Sequence, residues 1–430
     1  MTVSHALHTQ VVYETLRPLS PYERLFWAFD RVNVFNFAVA VTFRGTIGHT
    51  RWIAAFAEVQ ERHPFLNASL NLDDPHAPIF MRAANLPVPL IFRPRTSPTE
   101  WQRAMEAEWV KPFDPSTAPF LRAVLLEDND GCDLILTADH VVLDGMGAIG
   151  LVRDLLAALS GQKLPPLPVP PSAEDRVACV RSTTAQSTET PQADENVQQA
   201  IAVLRERTIT RHLGTEAPTI DALRLTPELT AQLLRCCRRQ QTTVGSALLA
   251  ALASALRKLS PALETADIRL AVPIDARPYL DNAADFVLSI TSGRGVSPYP
   301  AEGLWESART IRSQLVQFQS FVEIEATFNR VQAAMSANLE PTMLVDYLAS
   351  KVGHDLLLTN LKCVNFSSPP DNLTIENVWG PSVLAGYKGE HVVGSATFNG
   401  ALHMLYTSHC PATGLLETVQ QTIVAACADA

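Results

Sequence analysis

The stretch Asp133-Leu134-Ile135-Leu136-Thr137-Ala138-Asp139-His140-Val141-Val142-Leu143-Asp144-Gly145 decides how this chain is read. Its first six residues are a β-type run, and the run delivers Asp139-His140 to its end. Asp144-Gly145 then stands at the mouth of an apolar stretch with helical character, so His140 is expected at a strand end facing a helix N-terminus. A histidine there holds a proton near neutral pH, and as a general base it can take one from an alcohol, amine or thiol attacking an acyl carbonyl. Asp144 is placed to brace the turn, and Gly145 allows a backbone N–H to approach a substrate closely. Taken alone, H-x-x-x-D-G also fits an ordinary surface turn with a capping aspartate. Apart from Asp139 itself, no second histidine or carboxylate cluster stands nearby at ligand spacing, so no metal site is expected.

Working outward, hydrophobic periodicity predicts strands at 35–43, 66–72, 121–127 and 133–138, with helices at 51–62, 98–111 and 145–159. The sharpest break in composition is Gly161-Gln162-Lys163-Leu164-Pro165-Pro166-Leu167-Pro168-Val169-Pro170-Pro171, followed by a Ser/Thr/Gln-rich run. Its prolines remove donors and forbid helix, and the polar run 182–195 has little apolar surface to offset the entropy of ordering. The expected organisation is therefore an N-terminal unit over 1–160, a linker over 161–215 and a C-terminal unit over 216–430. Beyond the linker, helices are predicted at 226–240, 244–259 and 304–318, with strands at 268–273, 355–359, 363–367, 395–398 and 402–408. The segment after 318 reads as irregular. The fold class is α/β in two halves of similar content, without short-period repeats.

A chain of 430 residues, 47% hydrophobic and 18% charged, is long enough for two medium cores. Its formal charge of −10 and lack of an arginine-rich tract interleaved with aromatics argue against a nucleic-acid partner. Neither a signal-peptide pattern nor an uncharged apolar run of membrane-spanning length is present, which makes a cytoplasmic location the default expectation; a monomer is expected as well. The seven cysteines are scattered, and Cys236 and Cys237 are adjacent in a helical stretch, so reduced thiols are expected. No G-x-S-x-G nucleophile elbow occurs, and a covalent enzyme intermediate is not required.

With its neighbours, the His140 segment resembles the His-x-x-x-Asp-Gly signature of the condensation-domain and chloramphenicol-acetyltransferase-like superfamily. That superfamily includes BAHD acyltransferases, peptide-synthetase condensation domains and polyketide-associated acyltransferases. Leu19-Ser20-Pro21-Tyr22-Glu23-Arg24-Leu25-Phe26 resembles the opening block, and Arg62-His63-Pro64-Phe65-Leu66-Asn67 the "RHPxLR" block. Pro112-Phe113-Asp114-Pro115 with Ala118-Pro119-Phe120-Leu121-Arg122 is similar to "FDLxxxPLxR". Further counterparts are Thr242 to Ala251, Val272-Pro273-Ile274-Asp275-Ala276-Arg277 and Leu358-Thr359-Asn360-Leu361. One departure stands out: condensation domains usually carry two adjacent histidines, and here Asp139 replaces the first.

The resemblance implies two chloramphenicol-acetyltransferase-like subdomains in a V-shaped pseudo-dimer, with a tunnel between them and His140 midway along it as the general base. It implies that Asp144 points away from substrate and pairs with Arg277 as scaffold. Candidate oxyanion donors are the Gly145 backbone and the side chains of Thr359 and Asn360, although the last two can equally close a strand end. Arg235, Arg238 and Arg239 form either a solvated helix face or a dock for an acidic acyl or peptidyl carrier protein or a phosphopantetheine phosphate. His63 reads as a helix-end or packing histidine, while His403 and His409 could line the tunnel or simply sit on a sheet face. The implied activity is acyl transfer from a thioester, on a carrier protein or coenzyme A and with no bound cofactor, to a hydroxyl acceptor. An amine acceptor and a non-catalytic carrier-docking module are the alternatives. The Asp139 variant and the lack of adenylation or carrier segments favour ester formation.

Overall fold

The computed structural model describes residues 13–83, 86–184, 216–280, 288–300, 302–366, 370 and 372–428. The polar run 182–195 lies mostly outside these residues. The architecture is mixed α/β, with two large sheets and one small one. In the first large sheet the order is Thr374–Val383, Asn36–Arg44, Gly131–Asp139, Leu121–Glu127, Leu90–Pro94. Gly131–Asp139 is its central strand and is buried along its whole length, which explains why it reads as a nearly unbroken apolar run rather than an alternating one. Helices His49–Arg62 and Gly145–Leu159 pack together over one face, and Glu100–Trp109 covers the other. Register places Asn36 opposite Asp139 and Leu121 opposite Ala138, so the reactive end of the central strand is held from both sides.

The second sheet runs Ile290–Ser297, Ile268–Asp275, Leu356–Cys363, His391–Phe398, Ala401–Ser408, Thr219–Arg224. Leu356–Cys363 is parallel to both its neighbours. A helical layer of Pro227–Arg239, Val244–Leu259, Leu304–Leu315 and Leu415–Ala428 buries one side of this sheet in its own apolar core. The small sheet pairs Ile79–Ala83 with Tyr13–Pro18 on one side and Ala68–Asn71 on the other.

Three features depart from the sequence reading. The segment expected to be irregular contains two helices, Phe321–Ser336 and Pro341–Val352, which pack on the N-terminal helix Pro21–Val32. Ile324, Phe328 and Val331 form a buried helical stripe behind a Ser320 cap, and Pro341 opens the next helix at a position where its missing N–H costs nothing. Ala173–Thr184, inside the expected linker, is also helical and contributes Ala173 and Val177 to that same core. Finally, Thr374–Val383 leaves the second half of the chain to become an edge strand of the first sheet, antiparallel to Asn36–Arg44. Trp379 stacks on Trp101 there, with ring centroids 5.3 Å apart. Ser382 hydrogen-bonds Thr407 across to the second sheet, and His403 bonds Asn377. His403 is thus a packing residue of this junction. His409 sits edge-on to Trp109, and neither histidine borders the central cavity. No described helix is long and apolar enough to cross a membrane.

Candidate active site

The blocks around the motif are braces for the central strand and the helix that follows it. Ser20 and Glu23 form a reciprocal capping box that starts helix Pro21–Val32 and aims Phe26 inward. His63 ends the helix His49–Arg62, and its Nε2 and the Arg62 Nε both reach Asp154 on helix Gly145–Leu159, at 2.6 and 2.8 Å. Arg122 is bonded to Glu108 at 2.8 Å and lies over the Phe113 ring.

His140 is 7% exposed and sits among Phe26, Phe35 and Phe37, with ring centroids 4.8–5.2 Å away. Its Nδ1 lies 2.9 Å from the Leu143 carbonyl. A carbonyl only accepts, so Nδ1 carries the proton in the neutral ring and Nε2 keeps its lone pair. Burial pulls the His140 pKa below its usual value, against the opposing pull of Asp144 and the Leu143 carbonyl, so the ring is neutral at pH 7. The aromatic cage was missed from sequence because aromatics in a strand and an amphipathic helix read as ordinary core.

Asp144 caps the helix by accepting from Gly147 N–H at 2.9 Å and points away from the cavity. Its two oxygens receive Arg277 Nη1 and Nη2, each at 2.9 Å, and Ser289 N–H donates to it as well. Burial alone would raise this carboxyl, but Arg277 and the two backbone donors hold it below the ordinary range. The pair is 1% and 4% exposed and ties the two halves of the chain together. Ser289 is the partner that no sequence signal marked.

Asp139 is buried behind His140, and its Oδ1 accepts from Val141 N–H at 2.9 Å. Burial pushes its carboxyl well above the usual range and the Asp30 charge adds to that, with Val141 N–H and Arg122 opposing. Asp30, itself pushed up to about 6 by burial, accepts from Phe35 N–H and so fixes the residue that stacks on His140.

His140, Gly145, Thr359 and Asn360 all border one cavity of about 690 Å³ between the halves. Gly145 is the first helical residue, where backbone N–H groups lie ahead of the intrahelical ladder. A side chain there would meet Leu361 and Pro381, both at 3.1 Å. Asn360 uses Oδ1 to accept from Lys362 N–H, closing a kink where Lys362 has a φ of 58°, while its Nδ2 lies toward Gly245. Arg235, Arg238 and Arg239 are exposed on helix Pro227–Arg239 and do not border the cavity, although Thr230, Leu233 and Leu234 of the same helix do.

The Condensation domain family matches residues 14–300. Tyrocidine synthase 3 from Brevibacillus parabrevis is 28% identical over 134 residues, which is 31% of this chain and 2% of that protein, so the chain spans only a small fraction of such relatives. Polyketide synthase associated protein 5 from Mycobacterium tuberculosis shares the fold at a TM-score of 0.68 and 17% identity, covering 97% of this chain and 100% of that one. The TRI3 trichothecene 15-O-acetyltransferase from Fusarium sporotrichioides does so at 0.64 and 13%, covering 97% and 94%. With its sheets, its interdomain cavity and its family match running through the His140 motif, the chain belongs to the Condensation domain family.

Proposed function

We propose that the protein transfers an acyl group from a thioester, borne on a carrier protein or coenzyme A, to a hydroxyl acceptor. The observation that carries this is the Nδ1–Leu143 hydrogen bond, which leaves a lone pair on His140 Nε2 inside a water-poor aromatic cage bordering the cavity. Nε2 removes the hydroxyl proton as the acceptor oxygen attacks the thioester carbonyl. The resulting oxyanion is met by Gly145 N–H, with Thr359 or Asn360 as second donor. Collapse breaks the C–S bond, and the departing thiolate recovers the proton from His140, so the enzyme ends unchanged. A neutral alcohol is a much weaker nucleophile than a neutral amine and gains more from losing its proton to a base as it attacks. A neutral, fixed imidazole therefore suits ester formation, as does the likeness to a 15-O-acetyltransferase.

The family match favours amide formation as the second reading, because the curated relatives are peptide synthetases. The phosphopantetheine arm of the donor is a substrate rather than a resident cofactor. Arg235, Arg238 and Arg239 offer positive charge to an acidic carrier surface or a phosphate. Transfer from acyl-carrier and acyl-coenzyme A donors to a panel of alcohols and amines, followed by mass spectrometry, tests both readings. His140→Ala is expected to lower transfer about 10²–10⁴-fold while leaving folding intact. Undiminished turnover in that variant, or exclusive use of amines, would defeat the reading.

A further inference from the structure

Away from His140, the cavity wall is supplied by the second half of the chain, from Leu233, Leu234, Leu249, Val272, Leu315 and Val316. Leu233 and Leu249 are fully buried at the inner wall, whereas Leu234 and Val316 stand 39% and 58% exposed at the rim. Several polar side chains of the same wall are committed to their own surroundings. Thr230 Oγ1 accepts from Leu402 N–H, and Thr243 and Ser246 bond each other. Asp275, the carboxylate on this wall, is held by Arg277 at 3.2 Å. Arg312 donates to the Gln241 carbonyl.

An aminoacyl group would bring a protonated ammonium into this space, where the carboxylate at hand is Asp275, already engaged by Arg277, and burying the charge among the apolar side chains is costly. A hydrocarbon chain needs no partner and gains from every methylene removed from water. Resting on the acyl-transfer reading above, we infer that this side of the cavity is a subsite for the hydrocarbon chain of a lipid-like substrate rather than an aminoacyl group. The whole cavity, His140 end included, is about 690 Å³, within the range that encloses drug-sized ligands. The same chemistry can arrive on the thioester donor or on the acceptor alcohol.

Binding of cis-parinaric acid to the full chain, followed by fluorescence, and its displacement by 1-butanol through 1-decanol, tests the subsite without requiring turnover. Displacement is expected to strengthen about fourfold per methylene until the space is filled. Val272→Trp, which adds bulk to this wall, should weaken it at least tenfold, and so should Val316→Glu, whose exposed position tolerates a charge. Displacement that is independent of chain length, or unchanged in both variants, overturns the inference. Two kinetic series assign the source: acetyl- to palmitoyl-pantetheine with one short alcohol, and ethanol to decanol with acetyl-pantetheine. Chain-dependent binding without any transfer would preserve the subsite and remove the acyl-transfer reading. Transfer that prefers aminoacyl- over decanoyl-pantetheine would do the reverse.

Discussion

Asp144→Ala removes one carboxylate that serves three partners at once. It takes from Arg277, which is 4% exposed, its two-oxygen partner, removes the bond that Ser289 N–H gives to the carboxylate, and uncaps helix Gly145–Leu159. Breaking a buried pair by removing one partner costs about 3–5 kcal/mol, and the lost cap adds about 1. The lost Ser289 hydrogen bond would add about 1 more, but these costs overlap because all three groups share one carboxylate. Arg277 also keeps Asp275 at 3.2 Å, which pulls the first cost toward its lower limit. The expected destabilisation is about 4–6 kcal/mol, a large share of the roughly 5–15 kcal/mol that holds a domain folded. Urea unfolding should show the midpoint falling by about 1–2 M at a slope of about 3 kcal/mol per M. Arg277→Met is expected to cost less, since Asp144 would keep its two backbone donors. The double variant should fall short of the sum by about 1–3 kcal/mol, because it removes both charges of the Asp144–Arg277 pair together. A midpoint for Asp144→Ala within about 0.3 M of wild type, or strict additivity in the cycle, would refute the scaffold role.

Gly394→Ala should dislodge the crossover strand, because a Cβ there would lie 2.1 Å from the Pro381 carbonyl oxygen and 2.7 Å from the Gly380 carbonyl carbon. A loss of about 1–3 kcal/mol and a fall in transfer are expected, whereas Gly150→Ala, with nothing within 4 Å, should be neutral or gain up to about 1 kcal/mol. The His403 ring is 1% exposed, and burial pulls its pKa down to about 4. A histidine with a depressed folded pKa binds fewer protons than the unfolded chain between that value and about 6.5, so its contribution to stability falls as pH drops through the window. His403→Gln should therefore gain about 3 kcal/mol relative to wild type between pH 7 and pH 4, measured by urea unfolding at each pH. A constant offset would show that His403 does not titrate in the fold. Asp30 runs the other way, since a carboxyl raised to about 6 favours the fold as pH falls, and this is why a variant difference is the informative measurement.

Features encoded within a few residues are legible in the sequence. Gly131–Asp139 and Gly145–Leu159 follow from an apolar run and a capped helix start, signals contained within a few residues. The terminal helix role of His63 was legible too, since a proline follows it, but its bond to Asp154 was not. Helices Phe321–Ser336 and Pro341–Val352 were lost because the polar break at Asn338-Leu339-Glu340 obscured two short stripes that become coherent only against Pro21–Val32. Arg277 came from the resemblance and not from its own neighbourhood, for it lies 133 residues from the carboxylate it grips.

By itself, the sequence determined that a histidine would stand at a strand end before an aspartate-capped helix, because periodicity, capping and the Asp144-Gly145 pair act over one or two turns of chain. Tertiary structure decided the rest. It alone set the Phe26, Phe35 and Phe37 cage, the Ser289 donor to Asp144, the crossing of Thr374–Val383 into the first sheet and the apolar wall of the cavity. Each of these depends on which surfaces meet across long stretches of chain. That choice is made by burying the most apolar area in one packed arrangement, and no short window of residues records it.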